Sequence, residues 1–504
     1  MKSNELRIGS VLNYINLFLS LSSGIFLTPF IIRALGQNEF GLLHLIGAFA
    51  GYLYLFEFGI GTTITRYVAK YRAENNIINI ENILAFGFII NIFISLLILV
   101  TGLILFFNIE YIFKNSLSVT DIISAKIMFA MILGNMIIGV LCSIFPAALS
   151  GYEKFIIPKL ISIVFTSMRI ITTLYVLSVG PKAIYMTSVT VGFGILTILS
   201  NLFYAKFKVK IRVKLHYMDW NLLKEVGIFS FFNFLQTLMS QIYWKLDEII
   251  IGITLSTAMV AIYAVAMSIN NYVLNITTAV TQLILPKATF LSTRNASVAE
   301  TTDFMSRIGR IILILYGGFL LGITFLGKEF IRLWAGDNYT DAYYIILIII
   351  YFAALPRIQS AANSIMKAKN MHSFLTTIYV ITGVINIFLT ILFIKRWGLI
   401  GAAWGTAFSL FIGNTLIANI YFQKKLGINV KRFFIKTFDK LAISITISAI
   451  ICYFISSYPN GGWGVFVIKC ILFSVFYILS LILVGFNDYE KKLIKSLLRI
   501  PGGA

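Results

Sequence analysis

Residues that commonly carry catalytic or metal chemistry are scarce in this sequence. Of its 504 residues only 12% are charged, and it contains three cysteines and three histidines. Cys142, Cys452 and Cys470 lie far apart within apolar runs, which argues against a disulfide framework and against a structural zinc site. The histidines are equally scattered. The sequence has no pattern typical of a metal site, a cofactor site or a nucleophile–base pair, so we do not expect an enzyme.

Long hydrophilic stretches are also missing, which excludes a large soluble domain. Hydrophobic residues make up 59% of the chain and its mean hydropathy is +0.90. Apolar runs of the length that crosses a bilayer, about 20 residues, occur fourteen times. We keep the first run as a span rather than a signal peptide because it continues to Ile32 without a small-residue cleavage site. The predicted spans are 10–33, 41–64, 83–107, 123–149, 156–178, 183–205, 223–254, 257–285, 308–333, 340–366, 373–394, 398–422, 438–457 and 463–486.

The net charge of +21 is distributed unevenly between alternate loops. The loops on the side of the N-terminus hold 29 Lys and Arg residues, whereas those on the opposite side hold 7. Short cytoplasmic loops carry such an excess, so both termini are predicted to be cytoplasmic. The basic character therefore reports topology, and it requires no nucleic-acid partner.

Two pairs of similar segments indicate an internal repeat. EFGLLHLIGAF (39–49) resembles MVAIYAVAMSI (259–269), and LYVLSVGPKAIYMTSV (174–189) resembles ILFIKRWGLIGAAWGTA (391–407). The offsets, about 220 and 218 residues, predict two parallel six-helix lobes, with substrate sites between the two halves. The predicted parts are an N-terminal lobe (1–205), a basic cytoplasmic linker (206–222), a C-terminal lobe (223–422) and a basic loop with an accessory helix pair and a cytoplasmic tail (423–504).

The predicted seventh span carries three charges far from either end. In QIYWKLDEIII (241–251), Lys245, Asp247 and Glu248 stand among apolar residues. On an insertion scale the apolar residues of the span favour the membrane by roughly 5–10 kcal/mol, and three central charges oppose insertion by roughly 8–10 kcal/mol. Because these terms nearly cancel, we expect the polar half of this helix to face protein or water.

Polar residues recur at helical spacing in spans 1, 5, 7, 8 and 10. Such stripes also hold transmembrane helices together without touching a ligand, and Lys245 and Glu248 are spaced to neutralise each other. Taken together, they predict a hydrated cavity with more cations than nearby acids, which suits an anionic cargo. The predicted cargo-binding residues are Arg169, Lys245, Arg357, Asn233, Gln236, Asn271, Asn275, Gln282 and Asn363.

Three pairs of glycines have the spacing of close helix packing. We interpret them as contacts between helices rather than as functional residues. The pairs are Gly47-x-x-x-Gly51, Gly318-x-x-x-Gly322 and Gly401-x-x-x-Gly405.

Three segments resemble the polysaccharide flippases: GSVLNYINLFLSLSSGIFLTPFIIRALGQNEFGLLHL (9–45), EFGIGTTITRYVAKY (57–71) and KLDEIIIG (245–252). These O-antigen (Wzx-type) and related lipid-linked-oligosaccharide transporters belong to the multidrug/oligosaccharidyl-lipid/polysaccharide (MOP) exporter superfamily. The resemblance covers the whole chain. It implies an all-α polytopic membrane protein with a V-shaped, MATE-like pair of lobes, in the bacterial inner (cytoplasmic) membrane. It also implies alternating access and an undecaprenyl-pyrophosphate-linked oligosaccharide carried to the outer leaflet for surface polysaccharide synthesis.

The resemblance further implies roles for the charged residues. Arg169, Lys245 and Arg357 would bind the pyrophosphate, since guanidinium matches phosphate oxygens in a bidentate manner and ammonium acts as a point charge. The polyprenyl tail would remain in lipid. Glycan polymerases or glycosyltransferases are the candidate protein partners. By analogy, a coupling H⁺ or Na⁺ would bind at Asp247, Glu248 or Glu57.

Three other functions remain open at this point. A cation-coupled multidrug exporter of the same fold would have a cavity dominated by acids. A flippase for the peptidoglycan precursor would share the headgroup and differ in its sugar. A scaffold of the glycan-synthesis machinery would not need a charged cavity at mid-membrane depth.

Overall fold

The protein is helical wherever its structure is described. The computed structural model describes residues 2–57, 59–114, 116–217, 245–282, 297–368 and 371–492. Across these ranges the regular elements are helices and no β-strand occurs. The chain divides into two compact units, Met1–Ala264 and Val265–Ala504. The predicted all-α class is confirmed.

Long apolar helices joined by short turns build the first unit. Helix α1 packs against α6, and α4 packs against α3 and α7. Ser118 and Asp121 form a capping box at the start of α4. In chain order the elements are α1 (Lys2–Gly51), a 3₁₀ turn (Tyr52–Glu57), α2 (Ile60–Ala73), α3 (Ile77–Phe113), α4 (Val119–Cys142), α5 (Ile144–Gly151), α6 (Ile156–Val179), α7 (Ala183–Phe203), a π-helical turn (Tyr204–Lys208), α8 (245–254) and the beginning of α9 (Thr257–Gln282).

Gly36 divides α1 into two segments. Its φ of 71° and ψ of 179° lie outside the helical region, in a part of conformational space that glycine enters at little cost. The apolar run Val11–Tyr54 has 44 residues, about twice the length that a bilayer requires. The length and the break favour two consecutive crossings, which would correspond to the predicted spans 10–33 and 41–64.

The second unit contains the rest of α9 and the C-terminal helices. Helix α10 packs against α11, α15, α16 and α17. Its elements after α9 are α10 (Val298–Trp334), a 3₁₀ turn (Asp337–Tyr339), α11 (Ala342–Ile358), α12 (Ala361–Ala368), α13 (His372–Leu410), a π-helical turn (Phe411–Ile417), α14 (Ala418–Lys424), α15 (Val430–Phe438), α16 (Leu441–Ser456), α17 (Gly462–Ser480) and a π-helical turn (Leu481–Gly485).

Helix α13 is broken at Gly398, where φ is 59° and ψ is −138°. The segments before and after the break pack closely against each other. A Cβ added at Gly405 would lie 2.7 Å from the Thr390 Cα, closer than non-bonded carbons approach. Beside this contact the Asn386 side chain donates a hydrogen bond to the Thr406 hydroxyl at 3.2 Å. Small residues and a buried amide thus join two consecutive crossings, as is common between helices in membranes.

Ten helices in the described ranges are long and apolar enough to cross a membrane, and an eleventh is added if the bent pair α15–α16 forms one span. If α1 and α13, which are broken at Gly36 and Gly398, each count as two crossings and the pair α15–α16 counts as one, the described helices correspond to every predicted span except the seventh. Residues 223–244 of the seventh span lie outside the described residues. The total of fourteen spans stays a prediction, and so do the domain boundaries drawn from the sequence.

The segment pairs that indicated a repeat lie next to equivalent turns. Gly180 follows α6 directly before α7, and Gly398 stands at the break in α13. Similarly, residues 39–49 follow the bend at Gly36, and residues 259–269 follow the turn between α8 and α9. These positions favour a duplicated order of helices.

Two buried ion pairs fasten the C-terminal helices to α10. Arg310 Nε lies 2.6 Å from Glu490 Oε1, with side chains 3% and 4% exposed. Toward the other end of α10, Lys469 Nζ lies 2.8 Å from Glu329 Oε2, with side chains 3% and 9% exposed. Between them the Tyr477 hydroxyl donates to a backbone carbonyl of α10. Arg310 is one of the 29 loop cations on the side of the N-terminus, whereas in the structure it is a buried structural residue.

Candidate functional site

Two adjacent carboxylates are buried on α8, in the first unit. Asp247 and Glu248 are each 2% exposed. The Lys245 ammonium lies 3.1 Å from Glu248 Oε1 and 3.5 Å from Oε2, one helical turn away. The Lys245 side chain is 39% exposed, so this ion pair has one buried end and one accessible end. The interpretation of Lys245 and Glu248 as a neutralising pair agrees with this geometry.

The second carboxylate is held by a tyrosine of the next helix. The Tyr263 hydroxyl donates a hydrogen bond of 2.6 Å to Asp247 Oδ2, and Tyr263 is fully buried. Helices α8 and α9 run in opposite directions from the turn at 255–256. Because both residues are about two helical turns from that turn, they lie at the same depth. The short connection therefore places the tyrosine opposite the carboxylate.

The second segment of α1 and the 3₁₀ turn after it complete this site. His44 of α1 lies within electrostatic range of Lys245, and Tyr52 of the 3₁₀ turn lies within range of both carboxylates. The His44 ring also packs against Phe40, with ring centroids 4.5 Å apart. From the sequence His44 was an isolated histidine without a ligand neighbour. We name Lys245, Asp247, Glu248, Tyr263 and His44 the α8 cluster.

The α8 cluster can exchange protons or bind small cations. Two carboxylates side by side in a site with little water repel each other when both are charged, which favours uptake of a proton or a cation. Within the described ranges, no group of three or more His, Cys, Asp or Glu side chains has the arrangement of a metal site. The contacts within the cluster are an ion pair and a hydrogen bond.

Arg169 lies in the middle of α6, also in the first unit. Its side chain is half-buried, and it forms no hydrogen bond or ion pair with the residues that the structure describes. Thr173, one turn further along, is 3% exposed. Guanidinium groups at mid-membrane depth are rare and usually mark a functional pathway. Arg169 thus remains a candidate for anion binding.

Arg357 lies near the end of α11, in the second unit. It is half-buried and within electrostatic range of the Tyr316 and Tyr379 hydroxyls. Pro356 precedes it and lacks the N–H that a continuous helix would use. Helix α11 ends at Ile358, and α12 begins at Ala361. Arg357 therefore lies beside a break in the predicted span 340–366.

This break changes the interpretation of the polar stripe of span 10. Gln359, a polar residue of this span, is 2% exposed and donates to the Asn419 side chain at 2.6 Å. Asn363, on α12, is half-buried. The prediction of one continuous polar face assumed an unbroken helix, and the backbone turn at Gln359 and Ser360 shows that this assumption is wrong.

The remaining predicted site residues are distributed over several elements. Asn271 and Asn275 are exposed on one face of α9. Gln282 is the last residue of α9, and Glu57 is the last residue of the 3₁₀ turn after α1. Asn233 and Gln236 lie outside the described residues. Of the predicted set, the structure brings Lys245 into contact with Glu248 and leaves Asp247 beside them, bound to Tyr263.

The comparisons with known proteins point to glycan synthesis. Residues 15–290, more than half of the chain, match the family described as polysaccharide biosynthesis protein. The "Probable low-salt glycan biosynthesis flippase Agl15" of Haloferax volcanii is 24% identical over 231 residues. The aligned segment covers 46% of this chain and 46% of that protein, so less than half of the relative's length is matched.

Two solved structures show the fold. A structure of "Lipid II flippase MurJ, inward closed conformation" superposes with a TM-score of 0.72 and 17% identity, over 97% of this chain and 99% of that one. An inward-facing multidrug resistance MATE family transporter of the MOP superfamily superposes with a TM-score of 0.64 and 13% identity, over 80% of this chain and 94% of that one. The MATE-like architecture predicted from the sequence is therefore confirmed. The chain belongs to the polysaccharide biosynthesis protein family and has the fold of the MOP superfamily transporters.

Proposed function

We propose that this protein is a flippase that moves a lipid-linked oligosaccharide across the membrane for glycan synthesis. The observation that carries the proposal is the family match over residues 15–290. The Haloferax volcanii relative, described as a probable flippase of glycan biosynthesis, supports the same role. Because these relatives are flippases and transporters, they support the expectation that the chain is not an enzyme.

The proposed cargo is an oligosaccharide on undecaprenyl pyrophosphate, of the kind that builds O-antigen or another surface polysaccharide. The support is chemical. Arg169 and Lys245 are accessible cations of the first unit, and Arg357 is one of the second unit. Cations in surroundings of low dielectric bind phosphate oxygens strongly, and the half-exposed Lys245 ammonium has room for a second anionic partner beside Glu248. Exposed amides such as Asn271 and Asn275 suit sugar hydroxyls.

We further propose that transport proceeds by alternating access and that Asp247 and Glu248 bind the coupling H⁺ or Na⁺. Both are buried next to a cation that the cargo would contact. An anionic headgroup that draws Lys245 away from Glu248 would leave that carboxylate in need of a proton or cation. This exchange would link the ion to the cargo. Glu57 stays a further candidate for the same role. The setting proposed is the bacterial cytoplasmic membrane with both termini in the cytoplasm, where glycosyltransferases or a polymerase would be partners.

Fold alone does not separate this function from two of its rivals, because both a lipid II flippase and a multidrug transporter superpose on the chain. Cargo chemistry does separate them. Cells lacking the protein should accumulate lipid-linked oligosaccharide and lose surface glycan. Accumulation of the peptidoglycan precursor, or drug sensitivity with normal glycan display, would instead support one of the rivals. A scaffold carries no cargo, so its deletion would affect glycan synthesis only through the proteins that it binds.

The site is tested by complementation of the same deletion strain. Lys245→Ala and Arg357→Ala should each reduce surface glycan at least about tenfold, since one lost charge-assisted hydrogen bond is worth about 1.5–3 kcal/mol. Lys395→Ala, which removes an exposed cation on the less basic side, is the matched control and should restore display. Wild-type display in both site variants, at equal amounts of protein in the membrane, would disprove the assignment of these cations.

A further inference from the structure

A cationic cavity lies at the basic end of the first unit, about where α7 ends. Its volume is about 690 Å³, and it is open on one side. Four cations of the linker that follows α7 line it: Lys206, Lys210, Arg212 and Lys214. The apolar part of the lining is formed mainly by Phe88 of α3, Phe145 of α5, and Leu202, Phe207 and Ile211. No carboxylate of the described residues lines the cavity, so its charge and its apolar wall together suit an anionic amphiphile.

The backbone that carries these cations is fixed to the helices around it. The Ile211 N–H donates to the Ala205 carbonyl at 3.0 Å, and both side chains are buried. Lys210 between them has a φ of 58°, a left-handed conformation that non-glycine residues adopt rarely. A little further along, the His216 N–H donates to the Asn82 side chain at the start of α3. These hydrogen bonds thus hold the linker in place as one wall of the cavity.

The charge of the cavity is available to a ligand. None of its four cations forms an ion pair with a residue of the described ranges. The nearby acid Glu81 is engaged by the His216 ring, whose Nε2 lies 2.7 Å from a carboxylate oxygen. Four like charges on a short segment repel one another, and an anion between them removes that repulsion.

The predicted topology puts the cavity at the level of lipid headgroups. It sits where α7 leaves the apolar span and the basic connector begins, on the side where Lys and Arg are in excess. Basic pockets between transmembrane helices on that side are typical sites for anionic phospholipid headgroups. A wall of aromatic and aliphatic side chains directly beside the cations provides for the first part of an acyl chain.

We infer that this cavity binds the headgroup and the adjoining acyl chain of an anionic phospholipid from the leaflet on the basic side of the membrane. The inference goes beyond the proposed function, because it concerns a resident lipid and not the cargo. A phospholipid is favoured over a lipid-linked glycan for a structural reason. The ten described residues that line the cavity all belong to the first unit, and none of them carries an amide side chain that would bind sugars.

The test uses the full-length protein, purified and placed in nanodiscs of phosphatidylcholine with or without phosphatidylglycerol. Bound phospholipid is measured by native mass spectrometry and by competition with a fluorescent phosphatidylglycerol. A variant with all four cavity cations changed to glutamine should bind phosphatidylglycerol at least about tenfold more weakly, since each cation near anionic lipid contributes about 1 kcal/mol. Exchanging Lys for Arg and Arg for Lys at the same four positions should preserve binding.

The matched control removes four cations from the other long basic connector: Lys424, Lys425, Lys431 and Lys440. An equal loss of binding in this control would overturn the inference, because attraction would then depend on net charge alone. Strong binding of a polyprenyl pyrophosphate in place of phosphatidylglycerol, or displacement of the lipid by inorganic phosphate, would also overturn it. If the glutamine variant does not fold, the Lys–Arg exchange variant and the salt dependence of wild-type binding decide the question in the same way.

Discussion

At the scale of residues, the contact between Asp247 and Tyr263 best explains how a charged group is kept inside an apolar helix. An isolated carboxylate in hydrocarbon is costly, and a hydroxyl donor at 2.6 Å replaces part of the hydration that it loses. The donor belongs to a different helix, so the same contact also fixes α9 against α8. At this position a single hydrogen bond therefore both stabilises the buried carboxylate and holds the two helices together.

Replacement of Tyr263 by phenylalanine should destabilise the protein by about 1–3 kcal/mol, because the buried carboxylate loses a donor and the ring is retained. Unfolding of the purified protein in detergent, followed by tryptophan fluorescence, measures this change. When Asp247→Asn is added to the Tyr263→Phe variant, most of the destabilisation caused by the lost hydrogen bond should disappear. The effects of the two substitutions on the free energy of unfolding should therefore be non-additive.

Tyr175→Phe is the control for this cycle, because the Tyr175 ring is 69% exposed and its loss of a hydroxyl should be nearly neutral. Equal effects of Tyr263→Phe and Tyr175→Phe would contradict the role given to the hydrogen bond.

The sequence predicts charged residues inside helices better than it predicts their partners. Lys245 and Glu248 were recognisable because they are one helical turn apart. Tyr263 was not, since its role depends on the depth at which α8 and α9 face each other. Arg310 appeared as a topological cation because its partner, Glu490, is 180 residues away in the chain. Contacts of this kind depend on the packing of distant helices, which local spacing does not reveal.

At the scale of elements, glycine pairs with identical spacing have different surroundings. In Gly401-x-x-x-Gly405, a Cβ at either position would meet backbone atoms of the preceding segment of α13. In Gly318-x-x-x-Gly322, the neighbours are Tyr477 and Phe473 of α17. At Gly47 and Gly51 no atom of the described residues lies within 4 Å of an added Cβ. The interpretation as packing contacts agrees with the structure for two pairs, and for the pair in α1 it stays a prediction.

These surroundings predict opposite results for the same substitution. Gly405→Ala should cost about 1–3 kcal/mol, because the two segments of α13 must separate to accommodate a methyl group. Gly47→Ala should be neutral or slightly stabilising, because alanine favours the helix by up to about 1 kcal/mol. Thermal unfolding in detergent distinguishes the two, and a Gly47→Ala variant as unstable as Gly405→Ala would show that the open space beside α1 is occupied.

Helix positions were predictable from apolar length, whereas breaks within helices were less so. The bend at Gly36 falls in the gap between two predicted spans, and Gly398 is the first residue of a predicted span, because glycine and polar residues interrupt the apolar runs near both positions. The break at Gln359 and Ser360 lies within a predicted span. Pro356 was visible in the sequence, but a proline bends some membrane helices without ending them, and neighbouring helices decide which occurs.

At the scale of the whole molecule, the excess of Lys and Arg in alternate loops is the strongest long-range signal in the sequence. This excess depends on all spans together, since one missing span would assign every later loop to the opposite side of the membrane. The described helices agree with the predicted crossings on either side of residues 218–244, so the topology can be tested on the second unit alone.

Single cysteines provide this test, after Cys142, Cys452 and Cys470 have been replaced by alanine. A cysteine at Lys395 should react with an impermeant maleimide in intact cells. A cysteine at Lys425 should react only after the membrane is permeabilised. Both positions are exposed, so differences in labelling report sidedness. The reverse pattern would invert the orientation, and equal labelling at both positions would contradict a span between them.

The buried ion pairs at Arg310 and Lys469 have a mechanical consequence. Separating either pair would leave a bare charge in a dry environment, at a cost of several kcal/mol. We therefore expect α17 to move together with α10 whenever α10 tilts or shifts. Val467 is 48% exposed on the far side of α17. A spin label at this position would then report the movement of α10 from the lipid side, without disturbing the interior face of α10.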